Sequence, residues 1–250
     1  MKAEEKELIA SLQVYLEELR ASGVDALPFA APFSRSILPA TTGVTAVAGT
    51  GSTGESLEEI REELGECCRC GLGRTRTNLV FGVGNPHARL VFVGEAPGRD
   101  EDIQGEPFVG EAGQILTRLI SRMGFTREDV YICNVLKCRP PNNRDPQKDE
   151  IEQCGQFMLR QVKSIGPEVV VALGAFAAHT LLQSTVPISK LRGKFHDYHG
   201  IPLMPTYHPS FLLRNRGNNE VYWTVWEDMA QVLKRLNLPV PEVKRQSIKT

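Results

Sequence analysis

Between residues 90 and 236 the chain alternates short apolar runs with longer amphipathic stretches. Apolar runs of four or five residues indicate buried strands, and apolar residues spaced three and four apart indicate helices. Strands are predicted over residues 90–93, 130–133, 169–173 and 201–204, and helices over residues 112–124, 147–164, 175–182 and 219–236. Such alternation forms a mainly parallel sheet covered on both faces. We therefore predict an α/β fold with three layers, α/β/α.

Polar and glycine-rich residues follow three of these strands. Asn134 comes directly after the second strand and His208 shortly after the last. Gly94, Glu95 and Ala96 follow the first strand. Sites in open α/β sheets lie beyond the carboxyl ends of the strands, so we expect these residues to meet there. Each also has an ordinary alternative, which is a phosphate-binding turn, a turn cap or a structural histidine, and the nucleotide-binding motifs are missing.

Four of the six cysteines have a spacing typical of metal ligands. Cys67 and Cys70 form a C-x2-C pair, and Cys138 and Cys154 form a distant C-x15-C pair. The first pair can bind one ion or cluster across a single turn, and the second completes the cage once the chain has folded. Ordinary buried thiols and disulfides are the alternatives. Disulfides are disfavoured because the N-terminus has no secretory signal.

The first 55 residues differ from the rest. The spacing of apolar residues predicts an N-terminal amphipathic helix, and the Ala-, Pro-, Ser-, Thr- and Gly-rich stretch after it predicts a flexible linker. Ser56 and Glu59 form a capping box that begins the globular part. The predicted divisions are a helix over residues 1–21, a linker over 22–55, a domain over 56–238 and a tail over 239–250. We expect the N-terminal helix to bind a protein partner and the chain to be a monomer.

Basic residues are concentrated near the C-terminus, although the formal net charge is −1. Residues 188–216 contain a single acid, Asp197, and the bases Lys190, Arg192, Lys194, Arg214 and Arg216. Such a stretch is either a solvated surface or a set of phosphate contacts. The sequence contains no run of about 18 apolar residues, so no membrane span is predicted. We expect a cytoplasmic protein.

Three motifs, together with the four cysteines, carry a resemblance to a known family. They are GEAPGRDEDIQGEPFVGEAGQIL at 94–116, NVLKCRPPNNRDP at 134–146 and HPSFLLR at 208–214. The stretch from about residue 65 to 236 resembles the iron–sulfur uracil-DNA glycosylases of family 4. This resemblance implies a uracil-DNA glycosylase fold, excision of uracil from single- or double-stranded DNA at the start of base excision repair, and a [4Fe–4S] cluster on Cys67, Cys70, Cys138 and Cys154. Cys68 and Cys133 match no ligand position.

The resemblance also implies roles in the pocket. A stacked base must be flipped out before protein groups can surround it, and Phe108 resembles the aromatic residue on which the flipped base stacks. The Asn134 amide can pair with O4 and N3–H of uracil, whereas cytosine presents the opposite pattern. His208 would donate to O2, where negative charge develops. The backbone of Gly94, Glu95 and Ala96 would line the pocket.

One departure from the better-known family 1 concerns the GQDPY turn. The aspartate that orients water there is replaced by Ala96, and the tyrosine that blocks thymine is replaced by Gly98. A water-activating carboxylate must then come from elsewhere, and Glu95 and Glu101 are the nearest candidates. Glu101 also resembles a gate against the C5 methyl group of thymine, unless it is simply a solvated acid.

The last motif resembles the loop that enters the minor groove, with Leu212 as an apolar wedge. The five bases of residues 188–216 would contact phosphates. Two alternatives remain open at this point. A catalytically silent DNA-binding or polymerase-associated module of the same fold would release no uracil, and a zinc-stabilised protein would be colourless rather than brown.

Overall fold

The computed structural model describes residues 54–215 and 218–242, all within the unit Gly49–Thr250. The predictions for the N-terminal helix, for linker residues 22–53, for Arg216 and for most of the tail fall outside these ranges. The described part begins with helix α1 (Leu57–Leu64). Its capping box is confirmed, because the Glu59 N–H donates to the Ser56 hydroxyl at 3.1 Å and the Ser56 N–H donates to the Glu59 carboxylate at 2.7 Å.

Six strands form one sheet in the order β1-β3-β2-β4-β6-β5. They are β1 (Val83–Gly84), β2 (Leu90–Gly94), β3 (Tyr131–Asn134), β4 (Val169–Leu173), β5 (His196–Tyr198) and β6 (Ile201–Thr206). The four central strands are parallel, and the short edge strands β1 and β5 are antiparallel to their neighbours. The predicted mainly parallel sheet is confirmed. The four strands predicted from the sequence are the four central ones.

Eight α-helices lie in the described ranges. They are α1, α2 (Arg99–Gln104), α3 (Glu111–Arg122), α4 (Lys148–Ile165), α5 (Gly174–Leu182), α6 (Ile188–Leu191), α7 (Pro209–Arg214) and α8 (Asn219–Arg235). The four long helices predicted after the first strand are present within two residues at each end. The short helices α2, α6 and α7 were not predicted, since four to six residues are too few to show a helical period. In the ranges described, no helix has the length and apolar character needed to cross a membrane.

Two apolar clusters lie on opposite faces of the sheet. Val91 and Val93 of β2 belong to the cluster that includes α1, α4 and α5, whereas Leu90 and Phe92 belong to the cluster that includes α3 and α8. Alternate residues of a strand point to opposite faces, so a strand buried on both sides reads as a continuous apolar run. This arrangement confirms the predicted α/β/α layers.

The parallel strands bring their carboxyl ends to one edge of the sheet. Gly94 of β2 is paired in register with Asn134 of β3. On the other side of β2, Leu173 of β4 is paired with Thr206 of β6, two residues before His208. The sheet therefore assembles the three segments singled out above at one edge, as expected for a site in an open α/β fold.

Candidate functional site

A cavity of about 780 Å³ opens at the carboxyl edge of the sheet. It is lined by Glu95, Ala96, Glu101, Phe108, Asn134 and His208, among others. The structure thus brings together all the side chains predicted for the pocket. Gly94 forms part of the wall, because a Cβ atom there would lie 2.3 Å from Asn134 Oδ1 and 2.5 Å from Phe108 Cζ. Only glycine allows the strand to approach both side chains so closely.

Asn134 is the last residue of β3 and is 2% exposed. Its side-chain oxygen, Oδ1, is the one buried side-chain nitrogen or oxygen in the described ranges that has no hydrogen-bond partner. Buried polar groups are almost always paired in folded proteins, so an unpaired acceptor that lines a cavity indicates a binding position.

Phe108 is buried against the cavity in an unusual backbone conformation. Its φ angle is +55°, which is strained for a bulky residue and is often found at functional sites. Its ring lies 5.7 Å from the His208 ring, centroid to centroid. The Arg127 guanidinium holds the segment by donating to the carbonyls of Phe108 at 3.1 Å and Pro107 at 2.8 Å. The ring therefore belongs to a fixed wall of the cavity.

Glu101 lies on α2 and holds two segments of the cavity wall together. Its carboxylate accepts the N–H of Gly98 at 3.1 Å, of Val109 at 3.0 Å and of Gly110 at 3.1 Å. Both of its oxygens are therefore engaged with the backbone. Glu101 is half-buried rather than a solvated acid on a loop.

His208 is the N-cap of α7, and its ring is held by the residue two positions later. The Ser210 backbone N–H donates to Nδ1 at 3.1 Å, and the Ser210 hydroxyl lies 2.8 Å from the same atom. Because a backbone N–H can only donate, Nδ1 is the acceptor and Nε2 carries the proton. Burial, with a smaller contribution from Arg214, lowers the pKa of His208 to about 4. His208 is therefore neutral at physiological pH and can donate only through Nε2.

Glu95 is half-buried at the end of β2 and lines the cavity. Burial, reinforced by the negative charge of Asp145, raises the pKa of its carboxyl group above the ordinary value of 4.5. A carboxylate with a raised pKa holds a proton more strongly, which suits a general base.

The four cysteines of the predicted cage line a second, small cavity. Cys67 and Cys70 follow α1, Cys138 follows β3 and Cys154 lies on α4. None of the six cysteines forms a disulfide. Among the described residues, no group of three or more Cys, His, Asp or Glu side chains meets the geometry of a single-ion site. Cys68 is exposed and Cys133 is buried, and neither lines this cavity.

Three N–H groups are directed at the cage sulfurs. The Lys137 backbone donates to Cys154 Sγ at 3.2 Å, Arg76 to Cys138 Sγ at 3.4 Å and Arg69 to Cys67 Sγ at 3.4 Å. Burial raises the pKa of the Cys154 thiol to about 11. Thiols must lose their protons to bind a metal, so loading of the cage would release protons. The donor set and the N–H groups around it suit a thiolate-bound metal centre.

The structure corrects the expected role of Arg192. Its guanidinium donates to both oxygens of Asp228, at 3.0 and 2.6 Å, and to the Thr224 carbonyl at 2.7 Å. Asp228 is fully buried and also accepts the Thr206 hydroxyl at 2.6 Å. The Arg192 side chain is therefore committed to an internal ion pair and is not free to contact a phosphate.

Leu212 also differs from its expected place. It is 9% exposed and packs into the apolar cluster of α3 and α8, so it does not project as a wedge. The next residue of α7, Leu213, is partly exposed. Lys190, Lys194 and Arg214 are exposed, as phosphate contacts require.

The sequence did not single out Ser210, Gly174 or Lys137. Ser210 lies within the HPSFLLR motif, and its spacing of two residues from His208 is the one local sign of its role. A Cβ atom on Gly174 would lie 2.9 Å from His208 Cβ, a contact that depends on tertiary packing. Lys137 is fully buried, whereas a lysine in sequence is read as a surface residue.

Comparison with known proteins gives a consistent result. The family model of the uracil DNA glycosylase superfamily matches residues 81–230. The type-4 uracil-DNA glycosylase of Archaeoglobus fulgidus is 48% identical over 176 residues, which cover 67% of this chain and 88% of the relative. That of Thermotoga maritima is 50% identical over 177 residues, covering 70% and 92%. That of Saccharolobus solfataricus is 45% identical over 170 residues, covering 64% and 79%. The chain therefore belongs to the uracil-DNA glycosylase superfamily and, within it, to the type-4 uracil-DNA glycosylases, enzymes that hydrolyse the N-glycosidic bond of uracil in DNA.

Proposed function

We propose that the chain binds uracil, flipped out of DNA, in the cavity between Asn134 and His208 and hydrolyses its N-glycosidic bond there. The observation that carries this proposal is the buried Asn134 Oδ1, which has no hydrogen-bond partner among the described residues. A buried acceptor left unpaired costs about 1–3 kcal/mol. A ligand that brings a donor to this atom recovers that free energy, and N3–H of uracil is such a donor.

The Asn134 amide supplies the pairing that distinguishes uracil from cytosine. Its oxygen accepts from N3–H while its NH2 group donates to O4. Cytosine has an acceptor at N3 and a donor at the exocyclic position, so it would leave both groups of the amide unpaired. The Phe108 ring would stack on the base, which contributes about 1–3 kcal/mol.

His208 would stabilise the departing base. As the C–N bond breaks, negative charge develops on O2 of uracil. The neutral imidazole, which carries its proton on Nε2, would donate a hydrogen bond to that oxygen. A donor fixed where charge develops is usually the largest electrostatic contribution to such a reaction.

Of the two carboxylates considered for water activation, we favour Glu95. The raised pKa of Glu95 suits a base that takes a proton from water. Glu101, by contrast, already accepts three backbone N–H groups, and these bonds would weaken if its carboxylate took a proton. Glu101 is better suited to a fixed wall, and this role is compatible with its proposed exclusion of the thymine methyl group.

We further propose that Cys67, Cys70, Cys138 and Cys154 hold a [4Fe–4S] cluster. Four thiols around one cavity, with N–H donors directed at the sulfurs, support this assignment. Bound there, the cluster would join the segment after α1, the exit of β3 and helix α4. The ratio of iron to zinc in purified protein, with its visible absorbance, distinguishes the cluster from a zinc site.

For DNA, we propose that Arg214, Lys190 and Lys194 contact phosphates. Their exposure supports this role, and Arg214 also lines the cavity. Leu213, partly exposed on α7, replaces Leu212 as the proposed wedge. An apolar wedge offsets the cost of unstacking, which is a few kcal/mol per step.

The decisive experiment measures base release from oligonucleotides that carry one uracil, thymine or cytosine, in single- and double-stranded form. We expect release of uracil only, and a loss of about 10²-fold or more when Asn134 is changed to alanine. Protein that binds uracil-containing DNA but releases no base would instead be the catalytically silent module. Equal rates on uracil and cytosine would refute the proposed role of Asn134.

A further inference from the structure

Lys137, whose side chain donates to the backbone carbonyl of Asn134, is fully buried. We infer that Lys137 is a positioning residue, which holds the Asn134 strand end from inside the core and so aims the Asn134 amide into the cavity. This inference rests on the proposed uracil-reading role of Asn134.

The Nζ atom of Lys137 makes two hydrogen bonds inside the fold. Nζ donates to the Asn134 carbonyl at 2.8 Å and to Gln161 Oε1 at 2.5 Å. Gln161, on α4, is also fully buried, and its Nε2 donates to the Phe81 carbonyl and to the Tyr131 hydroxyl, both at 3.1 Å. The network joins α4, the segment before β1 and both ends of β3. Neither Lys137 nor Gln161 lines the cavity that Asn134 Oδ1 faces.

A buried lysine in this position calls for an explanation. Burial of a polar group is costly unless it is hydrogen-bonded, and within the described ranges no carboxylate forms an ion pair with Lys137. Lys137 precedes Cys138, and its backbone N–H donates to Cys154 Sγ at 3.2 Å. An apolar residue would fill this space at lower cost, so the hydrogen bond to the Asn134 carbonyl is the feature that requires a long side chain with an N–H donor at its tip.

The backbone at Asn134 matters because little else fixes its amide. Oδ1 has no protein partner in the described ranges, so the amide depends on the placement of its own backbone and on the close walls formed by Gly94 and Phe108. A displacement of about 1 Å in a positioning group can cost 10²-fold in rate. Loss of the Lys137 hydrogen bond should therefore be felt through Asn134 and nowhere else in the site.

The test is a double-mutant cycle in the full chain, measured as single-turnover uracil release from an oligonucleotide with one uracil. Lys137→Met removes the Nζ donor and keeps an unbranched side chain. We expect it to slow release about 10- to 100-fold in the wild-type background and less than about threefold in the Asn134→Ala background. Iron content per chain should equal that of the wild type.

Two further variants make the test specific. Gln161→Leu breaks the same network without altering the sequence at the cage, and it should show the same dependence on Asn134 even if Lys137→Met fails to fold. Met158→Ala removes a buried side chain from the same apolar cluster but outside the network. It should lower the thermal midpoint and leave the rate of release unchanged.

The inference is overturned if the Lys137→Met and Gln161→Leu effects are equally large with and without Asn134, since that is the behaviour of a general packing residue. A rate loss that follows iron loss in proportion would also overturn it. If Asn134→Ala alone releases uracil at the wild-type rate, the proposed role of Asn134 fails first, and this outcome is separate from either result for Lys137.

Discussion

The two strand ends proposed to supply the polar contacts to uracil are held in different ways. Asn134 lies within β3, and a buried network that includes Gln161 of α4 supports its backbone. Its side-chain oxygen is left open to the cavity. His208 lies beyond the end of β6, and its ring is fixed by Ser210, two residues away. The side chain proposed to read the base thus depends on distant parts of the fold, whereas the side chain proposed to stabilise the leaving base is oriented by its own segment.

The difference extends to the support beneath each strand end. At the end of β3, Lys137 contacts both Asn134 and Cys154 of the cysteine cage, so this end depends on the packing of several segments. At the end of β6, the Thr206 hydroxyl donates to the buried Asp228, which is paired with Arg192. This second network anchors the strand but does not touch the His208 ring. Substitutions in the core should therefore affect base recognition more readily than the tautomer of the histidine.

At the Asn134 end of the sheet, the largest effect is expected from substitution of a cage cysteine. We expect Cys138→Ser or Cys154→Ser to give poorly soluble protein with little bound iron, because loss of one ligand uncouples the metal centre from folding. Iron analysis and thermal unfolding measure this. Cys68→Ser is the matched control, since Cys68 is exposed and does not line the cage. Full iron content and normal stability in a ligand variant would show that its cysteine is not a ligand.

At the His208 end of the sheet, the largest effect on uracil release is expected from His208→Ala. We expect single-turnover uracil release to fall about 10²–10³-fold, with binding of uracil-containing DNA nearly unchanged, because the hydrogen bond to O2 strengthens as charge develops. Binding is measured with an uncleavable uracil analogue. An equal loss of binding would make His208 a ground-state contact instead.

The pH dependence separates Glu95 from His208. The pKa of Glu95 is raised above 4.5, and its carboxylate is the active form of a base, so the wild-type rate should fall as pH decreases through that raised pKa. The pKa of His208 is about 4, so His208 stays neutral above that value and adds no further limb. Glu95→Gln should lower the plateau rate about 10²-fold and abolish the acid limb. An unchanged acid limb in this variant would assign it to another group.

A smaller effect is expected from Gly174→Ala. The new Cβ atom would lie 2.9 Å from His208 Cβ, and the φ angle of +94° is strained for alanine. We expect a loss of stability together with about a 10-fold lower rate of uracil release, because His208 must shift. Gly166→Ala is the control: its φ angle is +61°, and its Cβ would have no neighbour within 4 Å. Gly166→Ala should reduce stability and leave the rate of uracil release unchanged.

The sequence predicted the central strands, the long helices and the residues that meet at the sheet edge, because periodic burial and strand ends leave a local pattern. It could not predict how those residues are supported. Leu212 was assigned to DNA and Arg192 to phosphate, yet one packs in the core and the other pairs with Asp228. A leucine or an arginine looks the same in sequence whether it faces inward or outward. The unpaired oxygen of Asn134 and the burial of Lys137 likewise arise only when distant segments pack together.

The smallest expected effect is also the sharpest test of how the His208 end is held. If the backbone N–H of Ser210 fixes the tautomer, the Ser210 hydroxyl is a secondary contact, although it lies closer to Nδ1, at 2.8 Å against 3.1 Å. Ser210→Ala removes the hydroxyl and keeps the N–H, so uracil release should slow by no more than about threefold, the value of a partly redundant hydrogen bond. Because the His208 pKa of about 4 is attributed to burial and Arg214, the variant should also show no new titration near neutral pH. NMR of the imidazole nitrogens reports the tautomer directly. A shift of the proton to Nδ1 in Ser210→Ala, with a rate as low as that of His208→Ala, would mean that the hydroxyl rather than the backbone orients the ring.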